Sequence, residues 1–242
     1  ERQEVGDRLR ESQEELNKNY KRVRELVRRL ITAQEDERER IGRDLHDDVC
    51  QRLAVLMWGL EGLARGLSPR MGPEQSKLTR LRQDVEAVLD SVRELSHQLH
   101  SATLRHLGLT SGLERLCKTI ALQHHVQVDV IAEPILDLPD DVSLCLFRVV
   151  QEALNNAINH GKAKQITVKL IRGEESVCLE IRDTGIGFNP AAESEGLGLV
   201  SMRERLSMVG GELVLQSFQG QGTVIQAIVD CPAIEPSRKA IS

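Results

Sequence analysis

The sequence predicts a multidomain α and α/β chain: an N-terminal coiled coil, a helical hairpin that closes into a four-helix bundle only in a dimer, and a C-terminal α/β sandwich. Three observations carry this expectation. Apolar residues recur first in steps of alternately three and four, then at helical spacing on both sides of a Pro/Gly break, and after residue 109 helical and strand patterns alternate.

The coil is read from Val5, Leu9, Ser12, Leu16, Asn19, Val23, Leu26, Leu30 and Ala33, a heptad seam with two polar interruptions. Carried onward, the same phase would bury Glu37, Arg40 and Asp44, whereas the next apolar stripe falls on Ile41, Leu45, Val49, Leu53, Leu56, Leu60 and Leu63. Leu30 to Ile41 is an eleven-residue step, the mark of a stutter, and implies either a phase change at a helix junction or a signalling hinge. Ser68-Pro69-Arg70-Met71-Gly72-Pro73 then breaks the helix. Leu78, Leu81, Val85, Val88, Leu89, Val92, Leu95 and Leu99 resume helical spacing, so residues 36–66 and 74–100 read as an antiparallel hairpin. Two helices bury too little alone, and a homodimer of hairpins is implied by burial.

From residue 110 the elements are a helix over 110–124, a strand over 126–132, a helix over 139–160 and strands over 165–172 and 176–182 joined at Gly173-Glu174-Glu175. A glycine-rich segment leads into a helix over 197–209, and strands over 211–217 and 222–230 finish a mixed sheet with helices on one face. The tail from 233 to 242 is expected to be disordered.

Composition excludes several classes. The 242 residues hold 32 basic and 37 acidic side chains, a formal net charge of -5, with three Phe and only Tyr20 and Trp58 besides, which argues against direct nucleic-acid binding. Cys50, Cys117, Cys145, Cys178 and Cys231 are odd in number and scattered, fitting neither a disulfide framework nor a zinc site. No apolar run reaches the roughly 18 to 20 residues that span a bilayer, and no signal peptide opens the chain. A soluble, cytoplasmic stretch without membrane contact is expected, and a start at Glu1 in mid-helix implies a longer protein upstream.

Candidate chemistry lies in two places. Glu152 and Asn156 are four apart and share a helical face, offering two hard oxygen donors of the kind a Mg-nucleotide site needs. Asp183-Thr184-Gly185-Ile186-Gly187 ends a strand with a carboxylate that can accept a hydrogen bond from the adenine amine, followed by glycines that admit backbone close to the base. Gly196-Leu197-Gly198 opens a helix whose free N–H groups suit phosphate. The second place is His46, whose neutral ring can attack phosphorus near neutral pH, with Asp47 beside it to orient the ring and take up a proton, and Gln51 one turn beyond.

Residues 109–230 resemble the GHKL, or Bergerat-fold, ATPases shared by histidine kinases, gyrase, a heat-shock chaperone and mismatch-repair proteins. The resemblance implies ATP and Mg2+ as ligands, with Glu152 and Asn156 in the N box, Asn156 on the metal, Asp183, Gly185 and Gly187 in the first glycine box, Gly196 and Gly198 in the second, and Thr223 helping to hold adenine. Asn159 stands where many kinase relatives carry a basic residue, and Lys162 and Lys164 are nearby candidates for steadying phosphate. Only residues 188–195 separate the glycine boxes, which implies a short lid.

Residues 37–53 resemble the dimerisation and phosphotransfer helix of histidine kinases related to the nitrate/nitrite sensors. That resemblance implies phosphorylation of His46, Asp47 as general base, Gln51 in dephosphorylating a partner, and a response regulator with a helix-turn-helix output domain. It divides the chain into a signalling coil at 1–35, a phosphotransfer domain at 36–108 and an ATP-binding catalytic domain at 109–232. Gly42 stands where alanine is common, a substitution disfavouring the helix by roughly 1 kcal/mol and expected to ease bending beside His46. A GHKL-type hydrolase or clamp in which Glu152 activates water, a serine-kinase anti-sigma factor, and a coiled-coil scaffold with a degenerate pocket remain as alternatives.

Overall fold

The computed structural model describes residues 2–66, 72–99, 102–133, 135, 138–190 and 196–231. Residues 68–71 of the Pro/Gly break, residues 191–195 of the expected lid and the whole of the tail at 233–242 lie outside the described residues. The chain divides into two compact units, one of Ala33–Thr103 and one that joins the segment ending at Thr32 to the region from Leu104 onward.

In the first unit, helix α1 (Arg2–Asp44), which begins in the other unit, runs without interruption through the expected stutter, so no helix junction separates the two apolar phases. It passes into a π-helical turn over Leu45–Val49, then α2 (Cys50–Gly66), with α3 (Gly72–Leu99) packing back against both. Gly72 and Pro73, read from sequence as part of the break, instead open α3, where a first-turn proline sacrifices no helical hydrogen bond. Leu89 is buried in the hairpin, but Leu56 and Leu63 on α2 and Leu81, Val88 and Leu95 on α3 stay at least half exposed at heptad spacing.

The second unit contains α4 (Ala102–His124), β1 (Gln127–Ala132), α5 (Asp140–Asn159), β2 (Gln165–Arg172), β3 (Ser176–Asp183), α6 (Leu197–Met208), β4 (Glu212–Phe218) and β5 (Gly222–Asp230). Helix α4 is broken at Gly108, whose φ of 77° is left-handed, and the expected helix over 110–124 is the part beyond that break. The sheet order is β1-β2-β3-β5-β4, with β1 parallel to β2 and every other pair antiparallel.

Strand alternation sends Ile166, Val168 and Leu170, then Val177, Leu179 and Ile181, then Ile225, Ala227 and Val229 into one core. Helix α5 covers it with Leu146, Val149, Val150, Ala153, Leu154 and Ala157, spaced by three and four, while α4 adds Leu113 and Leu116 and α6 adds Met202 and Leu206. Asp140 and Asp141 favour the start of α5 through its dipole. Burial pushes the thiols of Cys117 and Cys145 up to about 12, so both are held as inert core groups.

Candidate functional site

The inward rows of three neighbouring strands end in polar residues. Val177, Leu179 and Ile181 lead to Asp183, Ile225 steps back to Thr223, and Leu213 and Leu215 lead to Ser217. Arg182 pairs with Val224 and Ser217 with Thr223, so the register sets all three polar side chains side by side at one end of the core. Asp183 is buried, with its Oδ1 accepting from the Gly185 N–H at 2.7 Å. Burial pushes its carboxyl above the ordinary aspartate value, against the lowering effect of hydrogen bonds from Gly185 and from the backbone and hydroxyl of Thr223.

Ser217, which sequence reasoning missed, joins this group. Its Oγ lies 3.0 Å from Thr223 Oγ1, accepts from the Phe188 N–H at 3.0 Å, and is placed to donate to the Gly222 carbonyl at 3.2 Å. The available signal was a serine at an inward position of an otherwise apolar strand row.

Glycines are demanded where backbone meets backbone. Gly187 has φ 58° and Gly222 φ 79°; a Cβ on Gly187 would strike the Phe218 carbonyl, and one on Gly222 the Asp183 carbonyl. Gly185 abuts the carbonyl of Gly161, which also accepts from the Ile186 N–H at 2.8 Å. Gly161 was likewise missed; its sequence signal was only a helix-ending glycine.

Glu152 and Asn156 project from α5 toward the first turn of α6. A Cβ on Gly198 would collide with Glu152 Oε1 and lie 3.3 Å from Asn156 Nδ2. Gly196, the N-cap of α6, brings no side chain to the first turn; its carbonyl accepts from the Leu199 and Val200 N–H groups, and those of Leu197 and Gly198 lie ahead of the first intrahelical bonds, where an anion is favoured. Two hard side-chain oxygens beside a helix N-terminus form the donor set that suits Mg2+ when phosphate oxygens and water supply the remainder, so these residues fit that ion. Asn159 is hydrogen-bonded to Asn155, and Lys162 and Lys164 are exposed.

In the other unit, His46 lies within the π turn, not in the regular helix the periodicity implied. The Cys50 N–H reaches back five residues to the Leu45 carbonyl. π turns recur at functional positions because they insert one residue and re-aim the side chains around it. The His46 side chain is 61% exposed, and its Nδ1 lies 3.0 Å from Asp47 Oδ1. Successive side chains diverge in an α-helix, and the wider π turn reduces that divergence. With the Nδ1–H donated to Asp47, the Nε2 lone pair is left open. Gln51 is exposed in the first turn of α2. One turn before His46, Gly42 is buried and its carbonyl accepts from Ser96 Oγ of α3 at 2.8 Å. No break in α1 occurs at Gly42 itself.

A family model described as Histidine kinase matches residues 37–104, and one described as Histidine kinase-, DNA gyrase B-, and HSP90-like ATPase matches residues 141–233. The chain belongs to the histidine kinases. Its C-terminal domain is the ATP-binding domain of that family, with the Bergerat-type α/β sandwich that the resemblance implied. Among curated relatives, the sensor histidine kinase MctS of Rhizobium johnstonii is 30% identical over 89% of this chain and 48% of its own length. The histidine-protein kinase/phosphatase DegS of Brevibacillus brevis is 34% identical over 81% of this chain and 52% of its length, and UhpB of Salmonella typhimurium 31% over 88% and 43%. The chain thus spans about half the length of the relatives it matches. No helix among the described residues is long and apolar enough to cross a membrane.

Proposed function

We propose that this chain is the catalytic core of a dimeric, cytoplasmic sensor histidine kinase that phosphorylates His46 from ATP and passes the phosphoryl group to an aspartate of a response regulator with a helix-turn-helix output domain. The observation that carries the reading is the exposed His46 ring, engaged at Nδ1 by Asp47 with Nε2 open, on a chain whose other unit ends its core in a buried carboxylate.

Asp183 accepts the hydrogen bond of the adenine amine, with Thr223 beside it and Ser217 holding Thr223 in place. The N-terminus of α6 receives the phosphates. Asn156, with Glu152, would hold magnesium, which when bound neutralises charge on the phosphate oxygens. The Nε2 lone pair of His46 forms the N–P bond as the bond from the γ-phosphorus to the ADP oxygen breaks, and ADP carries that electron pair away. Asp47 stabilises the positive ring through the Nδ1 proton. Catalysis is mainly positioning.

Gln51 both donates and accepts hydrogen bonds, which suits it to aligning water against the regulator's phosphoaspartate. The uncovered heptad rows of the hairpin, Leu56 and Leu63 with Leu81, Val88 and Leu95, are met by a second copy, and the coil relays a stimulus from a sensor segment.

Incubation of the purified chain with γ-labelled ATP and Mg2+ tests the reading. Acid-labile, base-stable label on the protein is expected. Free phosphate without protein label would make the chain a hydrolase, and neither product would make it a scaffold.

A further inference from the structure

Glu204 lies two turns along α6 and is 5% exposed, the most buried carboxylate among the described residues. A carboxylate is seldom buried so far without partners, and here both come from α1. Arg24 Nε donates to Oε1 at 2.6 Å and Arg28 Nε to Oε2 at 3.1 Å, while Arg28 Nη2 reaches Ser207 Oγ at 3.2 Å. Each carboxylate oxygen is met by a different guanidinium, one helical turn apart. Burial alone would push the Glu204 carboxyl up, and the two arginines outweigh it and hold it below its ordinary value. Ile31, one turn further along the same face of α1, is also only 5% exposed.

The heptad places these residues. With Val23 and Leu30 at a, Arg24 and Ile31 fall at b and Arg28 at f, the outward side of a coiled coil. The seam residues Leu16, Val23, Leu26 and Leu30 remain 57% to 68% exposed, so the contact with α6 leaves the seam free for a second coil. At its other end α6 carries Gly198, packed so tightly on Glu152 and beside Asn156 that a methyl group has no room. A rigid helix held at Glu204 is therefore held against those two side chains as well.

We propose that the outward face of the coil is a dock for α6, and that the Arg24 and Arg28 grip on Glu204 couples the coil to nucleotide affinity. The docked α6 is pre-organised for phosphate and binds nucleotide more tightly; by reciprocity, bound nucleotide strengthens the dock. This rests on the nucleotide-binding reading given above.

The test compares Mg2+-AMPPNP affinity for the full chain, R24E/R28E, and R24E/R28E/E204R, which restores the pair with charges exchanged. The double variant is expected to bind about fivefold or more weakly, within the usual range of coupling between sites, and the triple variant to recover most of that loss. In the wild type, AMPPNP should slow amide hydrogen exchange over residues 20–31, and in R24E/R28E it should not. The exchange measurement decides the matter if the triple variant fails to fold. Affinity in R24E/R28E within twofold of wild type, or nucleotide-independent exchange in the coil, overturns the coupling while leaving nucleotide binding intact. Absence of AMPPNP binding by the wild type overturns both readings, and is seen before any variant is made.

Discussion

The ATP-binding domain completes its own core, whereas the hairpin that carries His46 does not. In the former, Leu146, Leu154, Ile166, Leu179 and Leu206 are fully buried, and the polar residues of the pocket are the ends of core-facing strand rows. In the latter, Leu56, Leu63, Leu81, Val88 and Leu95 stay at least half exposed and the histidine stands out from the surface. A recognition site must be held rigid against a ligand that arrives complete, and glycine-enforced backbone contacts serve that need. Under the proposed function a histidine that meets a nucleotide and then a regulator must stay accessible, and the uncovered rows of its hairpin offer a face for a second copy.

Gly222→Ala should break the first side of this contrast most severely. It combines a left-handed φ, costing about 1 to 3 kcal/mol, with a methyl group driven into the Asp183 carbonyl. Chemical denaturation should show a loss of at least about 2 kcal/mol in the ATP-binding domain, with nucleotide binding abolished. Unchanged stability would mean that the β3–β5 corner is looser than its contacts indicate.

Next in size, L81K/V88K should break only the second side. Two charges placed on the uncovered row of α3 should shift the chain from dimer to monomer in light scattering while leaving Mg2+-AMPPNP affinity within about twofold. Equal damage to nucleotide binding would show that the pocket depends on the exposed face of the hairpin.

The smallest effect is expected at Ser96→Ala. Removing the hydroxyl that bonds the Gly42 carbonyl should cost about 1 kcal/mol and slow His46 labelling severalfold, with nucleotide affinity unaltered. Ser96→Thr should restore much of the rate, and a rate indifferent to both changes would remove Ser96 from any positioning role.

The regular elements were legible because each is specified locally. Strand ends at Gly173, the start of α5 after Pro139 and the start of α6 after Gly196 match their sequence signals to within about two residues. The candidate carboxylate was legible too, since Asp183 continues an inward alternation and is followed by two glycines. What was not legible depends on partners distant in sequence. The π turn falls within three successive steps of four, Ile41, Leu45, Val49 and Leu53, which a regular helix can also carry, and the Ser96 contact to Gly42 joins α3 to α1. Arg24, Arg28 and Glu204 each look like members of a solvated helix face, and only the fold brings the three together. Gly108 was passed over because a left-handed break in a helix leaves no signature beyond the glycine itself.

The contrast between a pocket built at the end of a completed core and an accessible histidine is tested most directly by comparing H46A and D183N in parallel for Mg2+-AMPPNP binding, thermal stability and γ-labelled ATP incorporation. Burial holds the Asp183 carboxyl above its ordinary value, so the fold favours the neutral form: its contribution to stability is greatest at low pH and falls as pH rises through the raised value. Thermal stability measured beside binding decides whether lost binding in D183N reports recognition or unfolding. H46A is expected to bind nucleotide like the wild type and take up no acid-labile label, and D183N to stay folded, bind none and take up none. Acid-labile label on H46A, or wild-type nucleotide affinity in D183N, would contradict the account.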